Sequence, residues 1–184
     1  MRGSDTVVKL YDLEEIRCLK AIDTLSRAEM PWIVSPRAWF CREGRVMLVE
    51  NRVQGESLRD FVLGRRSACY SLDDFDRLLS TWEAQIRQAL KALHSLKPNG
   101  IIHGDVSPGN ILVHPRNTAF LIDFNRAFFL EETRGQAPGQ EKGCPYASFF
   151  TCKETYSEKG DFIALSQTFR MAKRLERSLR GFYL

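Results

Sequence analysis

The sequence predicts an α+β fold, on three observations. Two β-patterned runs flank a Glu43-Gly44 pair, a long stretch after Ser71 repeats its apolar residues at the helical period, and three brief apolar runs between residues 101 and 122 alternate with polar turns.

Val7-Val8-Lys9-Leu10 reads as a strand. Asp12 can cap a helix in which Leu13, Ile16, Leu19 and Ile22 recur at helical spacing. After Pro31, residues 37–42 and 45–50 predict a hairpin, because a Glu-Gly pair between apolar runs suits a tight turn. Gln54-Gly55 breaks that pattern, and Ser57 opens a helix over Leu58 to Leu63 with Asp60 in its first turn. Ser71 and Asp74 resemble a capping box. The segment behind them places Leu78, Leu79, Trp82, Ile86, Ala89, Leu90 and Leu93 on one stripe, the strongest helical signal in the chain. Pro98-Asn99-Gly100 ends it. Ile101-Ile102, Ile111-Leu112-Val113 and Ala119 to Ile122 then read as short strands, residues 134–143 as a loop rich in Gly, Gln and Pro, and residues 162–179 as a helix with a basic outer face.

Composition bounds the function. At 184 residues, with 43% hydrophobic and 27% charged residues, the chain suits a packed domain that needs no staple. A net charge of +4, spread along the chain, makes a weak case for nucleic acid or a membrane surface, and neither is expected as a partner. Cys18, Cys41, Cys69, Cys144 and Cys152 form no CxxC and no zinc spacing, which points to reduced thiols. With no apolar leader in MRGSDTVVKL and no membrane-length apolar run, the expected location is the cytoplasm or nucleus, not the secretory route.

The chemistry is concentrated in His103-Gly104-Asp105-Val106-Ser107-Pro108-Gly109-Asn110, followed by Asp123-Phe124-Asn125. Taken singly, Asp105, Asn110 and Asp123 are ordinary turn residues. Taken together, between apolar runs, they supply two carboxylates and an amide oxygen, which suit a hard cation and a carboxylate beside a reacting hydroxyl. Pairing of 111–113 with 120–122 as a hairpin brings Asn110 and Asp123 to one end.

This stretch resembles the catalytic loop and metal motif of the protein-kinase-like superfamily, and its HGD and Pro-Gly-Asn are also similar to aminoglycoside and choline kinases. The resemblance extends outward. Ala89 to His94 is similar to the long helix before that loop, VMLVENRVQGESL to the strand and hinge that bind adenine, Gly143-Cys144-Pro145-Tyr146-Ala147 to the close of an activation segment, and Asp161 to an aspartate that braces the loop. It implies a two-lobe fold with a reduced N-lobe sheet and a mainly helical, truncated C-lobe, one domain over 1–184 divided into 1–53 and 54–184.

It further implies ATP and Mg2+ as cofactors, with Asp105 as base and Asn110 and Asp123 on the metal. Lys9 is implied on the phosphates, Glu15 as its helix partner, and the backbone near Glu50, Asn51 and Val53 beside adenine, while His103 packs to brace the loop. The activity implied is transfer of a γ-phosphate to an unknown hydroxyl acceptor, a protein Ser/Thr or a small molecule.

Departures keep alternatives open. Eight residues precede Lys9, too few for two strands and a glycine-rich loop over the phosphates, and only six positions separate Lys9 from Glu15. Gly104 stands where regulated kinases carry arginine, Ser107 where Ser/Thr kinases carry lysine, Asn125 for a glycine and Phe149-Phe150 for Pro-Glu. The alternatives are a pseudokinase, serving with a partner protein as a scaffold without turnover, and a fragment with an exposed sheet edge.

Overall fold

The computed structural model describes residues 5–64, 69–97, 99–114, 117–130 and 157–181. The expected loop at 134–143, the Gly143 to Ala147 segment, Phe149-Phe150, Cys144 and Cys152 lie outside them.

The fold is α+β. Strands β1 (Thr6–Asp12), β2 (Pro36–Arg42) and β3 (Arg45–Asn51) form an antiparallel sheet in the order β1-β3-β2. The β2–β3 turn is the predicted one. Glu43 and Gly44 both have positive φ, 52° and 75°, the backbone that a two-residue hairpin of matching twist requires. One face of this sheet buries Val46 and Leu48 completely, while Val8, Leu10, Phe40 and Met47 remain exposed on the other.

Between β1 and β2 the chain departs from the single predicted helix. Leu13–Glu15 is one 3-10 turn, the backbone runs extended at Ile16 and Cys18, and α1 spans only Leu19–Ser26. The interruption has a tertiary cause: the Arg17 N–H donates to Asn125 O at 2.8 Å, so it is not available to a helical carbonyl. Ile16 and Ile22 are nonetheless buried, as their spacing predicted.

The chain behind α1 is tied to the opposite part of the molecule. Leu121 N–H donates to Trp32 O at 2.8 Å and Val34 N–H to Leu121 O at 3.0 Å, forming a parallel bridge at Ile33.

Strand β4 (Glu56–Ser57) leads into α2 (Leu58–Leu63), whose first turn is capped where Ser57 Oγ accepts the Asp60 N–H. Helix α3 (Leu72–His94) begins at Ser71, which accepts the Asp74 N–H at 3.1 Å and donates to Asp74 Oδ2 at 2.6 Å. It buries all seven apolar residues of the predicted stripe and Phe75 besides. Helix α4 (Glu158–Gly181) packs against α3, and burial is continuous from Ile16 through these helices to Ala172.

The remaining strands are short. β5 (Ile101–Ile102) pairs with β8 (Phe128–Phe129), and β6 (Ile111–His114) pairs with both β4 and β7 (Thr118–Leu121). Gln85 on α3 clamps this hairpin, its Nε2 donating to Asn117 O and its Oε1 accepting the Ala119 N–H. Cys18, Cys41 and Cys69 form no disulfide among the described residues. Among those residues no helix is long and apolar enough to cross a membrane.

Candidate active site

The site is built where the β6–β7 hairpin opens. Ile111 pairs with Leu121, and the Ile122 N–H donates to Asn110 O at 3.0 Å, so Asn110 lies across from Ile122, the residue before Asp123. Asn110 Nδ2 donates to both Asp105 O, at 2.9 Å, and Asp105 Oδ2, at 3.0 Å. Only the amide nitrogen can donate to a carbonyl, so these bonds orient the side chain and leave Oδ1 as the atom available to a ligand.

The loop that carries Asp105 is held from below. His103 is fully buried; its Nδ1 accepts the Asp105 N–H at 3.2 Å, which puts the ring proton on Nε2, bonded to Ile122 O at 3.1 Å. Its ring meets Phe124 edge-on at 4.8 Å. His103 is therefore a brace, as expected, with one ring nitrogen used within the loop and the other on Ile122.

A second brace comes from α4. Asp161, 2% exposed, accepts His103 N–H at 2.9 Å and Gly104 N–H at 3.0 Å, and meets His94 Nε2 at 2.9 Å. One carboxylate thus joins the loop, the end of α3 and the start of α4.

Gly104 has a structural reason to be glycine. Its φ is +76°, and a Cβ there would stand 3.0 Å from Arg126 O and 3.2 Å from Phe128 Cε1. Asn125, by contrast, is not among the described positive-φ residues, so replacing glycine there strains nothing; the left-handed residue of this turn is Asp123 itself, at φ 68°.

The cationic half differs from expectation. Lys9 Nζ lies 3.0 Å from Glu50 Oε2, whereas Glu15 sits in the 3-10 turn with its carboxylate accepting the Asp12 N–H at 2.9 Å. The pairing of Lys9 with Glu15 is therefore corrected: the lysine's partner comes from β3. The cause is register, since Lys9 faces Leu48 and Val7 faces Glu50, which leaves Lys9 and Glu50 diagonal on one sheet face.

Glu50 is 3% exposed, and its Oε1 is buried with no hydrogen-bond partner. Burial raises its carboxyl above the usual range against the pull of Lys9, and Asp123 adds to the rise. Of the backbone expected along adenine, Asn51 lies opposite Thr6 and Glu50 opposite Val7 in the β1 ladder, and Arg52 N–H donates to Asp5 O. Val53 comes after the ladder ends.

One participant was missed. Tyr11 donates its hydroxyl to Asp123 Oδ1 at 2.8 Å. Burial first, then the charge of Asp123 and this bond, then Glu50 and Glu15, raise the phenol far above its ordinary range, so it stays a donor. The alternation of Val7, Lys9 and Tyr11 in a strand puts them on one face, a signal the sequence does carry.

Among the described residues no three His, Cys, Asp or Glu side chains stand together as a metal site. What the site offers a cation is oxygen from one carboxylate and one amide, a donor set that fits a hard ion completing its shell with phosphate and water.

A family model of the protein kinase domain matches residues 5–150. The chain is 28% identical to sperm motility kinase 2B of Mus musculus over 127 residues, which cover 67% of this chain and 24% of that protein. It is 30% identical to mitogen-activated protein kinase kinase kinase 7 of Drosophila melanogaster over 94 residues, 51% of this chain and 13% of the relative. With mitogen-activated protein kinase kinase 7 of Arabidopsis thaliana it shares 27% over 150 residues, 79% of this chain and 44% of the relative. The matches thus span less than half the length of these relatives.

Proposed function

The chain belongs to the protein kinase domain family, and from that we propose that it is an ATP- and magnesium-dependent phosphotransferase that passes a γ-phosphoryl group to a hydroxyl acceptor. The observation that carries this reading is the double hydrogen bond from Asn110 Nδ2 to Asp105. It fixes the Asp105 carboxylate and turns the Asn110 amide oxygen away from it, toward use as a ligand atom.

In this reading Asp105 accepts the acceptor hydroxyl's proton as the oxygen attacks. Asn110 Oδ1 and Asp123 would hold magnesium, which would supply positive charge against the phosphates. Lys9 would contact the phosphates, and backbone groups near Glu50, Asn51 and Val53 would face adenine. Asp161 and His103 keep the loop in place between turnovers.

The test is transfer from ATP to a panel of hydroxyl acceptors and to water, run beside calorimetric ATP titration with and without Mg2+. Wild type binds ATP with magnesium, Asp123→Ala loses that binding, and Asp105→Ala lowers turnover by roughly a hundredfold or more while still binding. Turnover that survives Asp105→Ala refutes the role of that residue as base.

A second reading is favoured by the Lys9–Glu50 pair: with its ammonium held by a buried carboxylate, the chain binds nucleotide as a scaffold without turnover. Magnesium-dependent binding with no transfer to any acceptor, water included, selects it over the first.

A further inference from the structure

Tyr11 belongs to neither of the motifs that single out the site, yet its hydroxyl reaches across 112 sequence positions to Asp123. Its place follows from strand geometry. Lys9 and Tyr11 are two apart in β1 and share a face, with Tyr11 opposite Val46, which is fully buried. The ring is thus seated on the sheet, and its hydroxyl is delivered from β1 to the turn after β7.

Asp123 needs such a partner. Its φ of 68° lies in a region that non-glycine residues rarely occupy and that persists only when surrounding contacts hold it. The phenol takes Oδ1, leaving Oδ2 for a ligand. We propose that Tyr11 is a positioning residue for Asp123: its hydroxyl holds one carboxylate oxygen so that the other is presented to a divalent cation, and magnesium affinity depends on it. The proposal rests on the reading of Asp123 as a metal ligand given above.

The alternative geometry, a hydroxyl that blocks the cation, would need both carboxylate oxygens on the metal. Magnesium prefers octahedral geometry and keeps several waters, binding carboxylates sparingly. A hydrogen bond to the oxygen left over is the outer-shell arrangement that orients a ligand, and losing one typically lowers metal affinity by roughly ten- to a hundredfold.

Tyr11→Phe removes the hydroxyl and keeps the ring. The measurement is the Mg2+ concentration at half-maximal binding of a fluorescent ATP analogue, for wild type, Tyr11→Phe, Asp123→Asn and the double variant, each with a thermal melt. The expected result is a midpoint raised about tenfold or more in Tyr11→Phe, with magnesium-free nucleotide binding unchanged. In the Asp123→Asn background the same substitution adds no further shift, because its effect runs through that carboxylate. A Tyr11→Phe midpoint within twofold of wild type, a lower midpoint, or an equal shift in both backgrounds overturns the proposal. If Asp123→Asn itself keeps the wild-type midpoint, or wild type shows no magnesium-dependent binding, the metal reading of Asp123 falls and this proposal with it. An Asp123→Asn loss beside an unaffected Tyr11→Phe removes the Tyr11 role alone.

Discussion

Replacing Asp161 with alanine strips the loop that carries Asp105 of its support from α4, and the cost can be worked from the bonds it makes. The carboxylate accepts two backbone N–H groups, at 2.9 and 3.0 Å, and meets His94 at 2.9 Å, all around a side chain that is 2% exposed. Each buried donor left unsatisfied costs about 1–3 kcal/mol. The His103 N–H is deeply buried and bears the larger share; that of Gly104 is only partly buried and regains some hydration. With relaxation shared between neighbours, the sum is about 4 kcal/mol. In a chain of this size that lowers the thermal midpoint by roughly 8–16 °C. Urea denaturation followed by tryptophan fluorescence reads the difference directly, and Asp161→Asn separates the causes. An amide has one carbonyl oxygen, and its NH2 would face a second donor, so Asn retains one of the two backbone bonds and costs about half as much. Stability of Asp161→Ala within about 1 kcal/mol of wild type would refute the bracing role, because no loss of two buried acceptors is that mild.

Two further outcomes follow from the same site. Gly104→Ala forces a Cβ against Arg126 O and Phe128 at a positive φ; it costs about 1–2 kcal/mol in denaturation and lowers any Asp105-dependent transfer by displacing the loop. Glu50→Gln removes a pH dependence. The folded-state pKa of Glu50 is raised, so the folded state holds the proton more tightly than the unfolded one, and this contribution to stability is present at low pH and lost as pH rises through the raised value. Wild type should therefore show a component of stability that declines with rising pH above the ordinary glutamate range, and the variant should lack it; identical pH profiles would mean the Glu50 carboxyl is not perturbed.

Local pattern made much of this molecule readable. The stripe on α3, the Glu43-Gly44 hairpin and the β6–β7 pairing depend on neighbours a few residues apart, and each formed where its residues implied. That Asn110 and Asp123 sit at the same end of the β6–β7 hairpin was legible for that reason. The helix from Leu13 was read as unbroken because its period continued through Ile16, Leu19 and Ile22, while the force that broke it, Asn125 drawing away the Arg17 N–H, came from a distant segment. The partner of Lys9 depends on which residues of β1 and β3 face one another, a register set by the whole sheet. Tyr11 could have been grouped with Lys9 by alternation, but its acceptor could not have been named. Strands β4 and β8, two residues each, are too short to carry a pattern of their own and exist through their partners.

The last residue of β7, Leu121, is gripped on both edges, opposite Ile111 of β6 on one side and by Trp32 and Val34 on the other. A strand end pinned on both margins resists being drawn lengthwise, since a slip there breaks the β6 ladder and the two bonds to Trp32 and Val34 together. The pin lies two residues before Asp123 and opposite the residue that follows Asn110, so it holds both at one end of the hairpin.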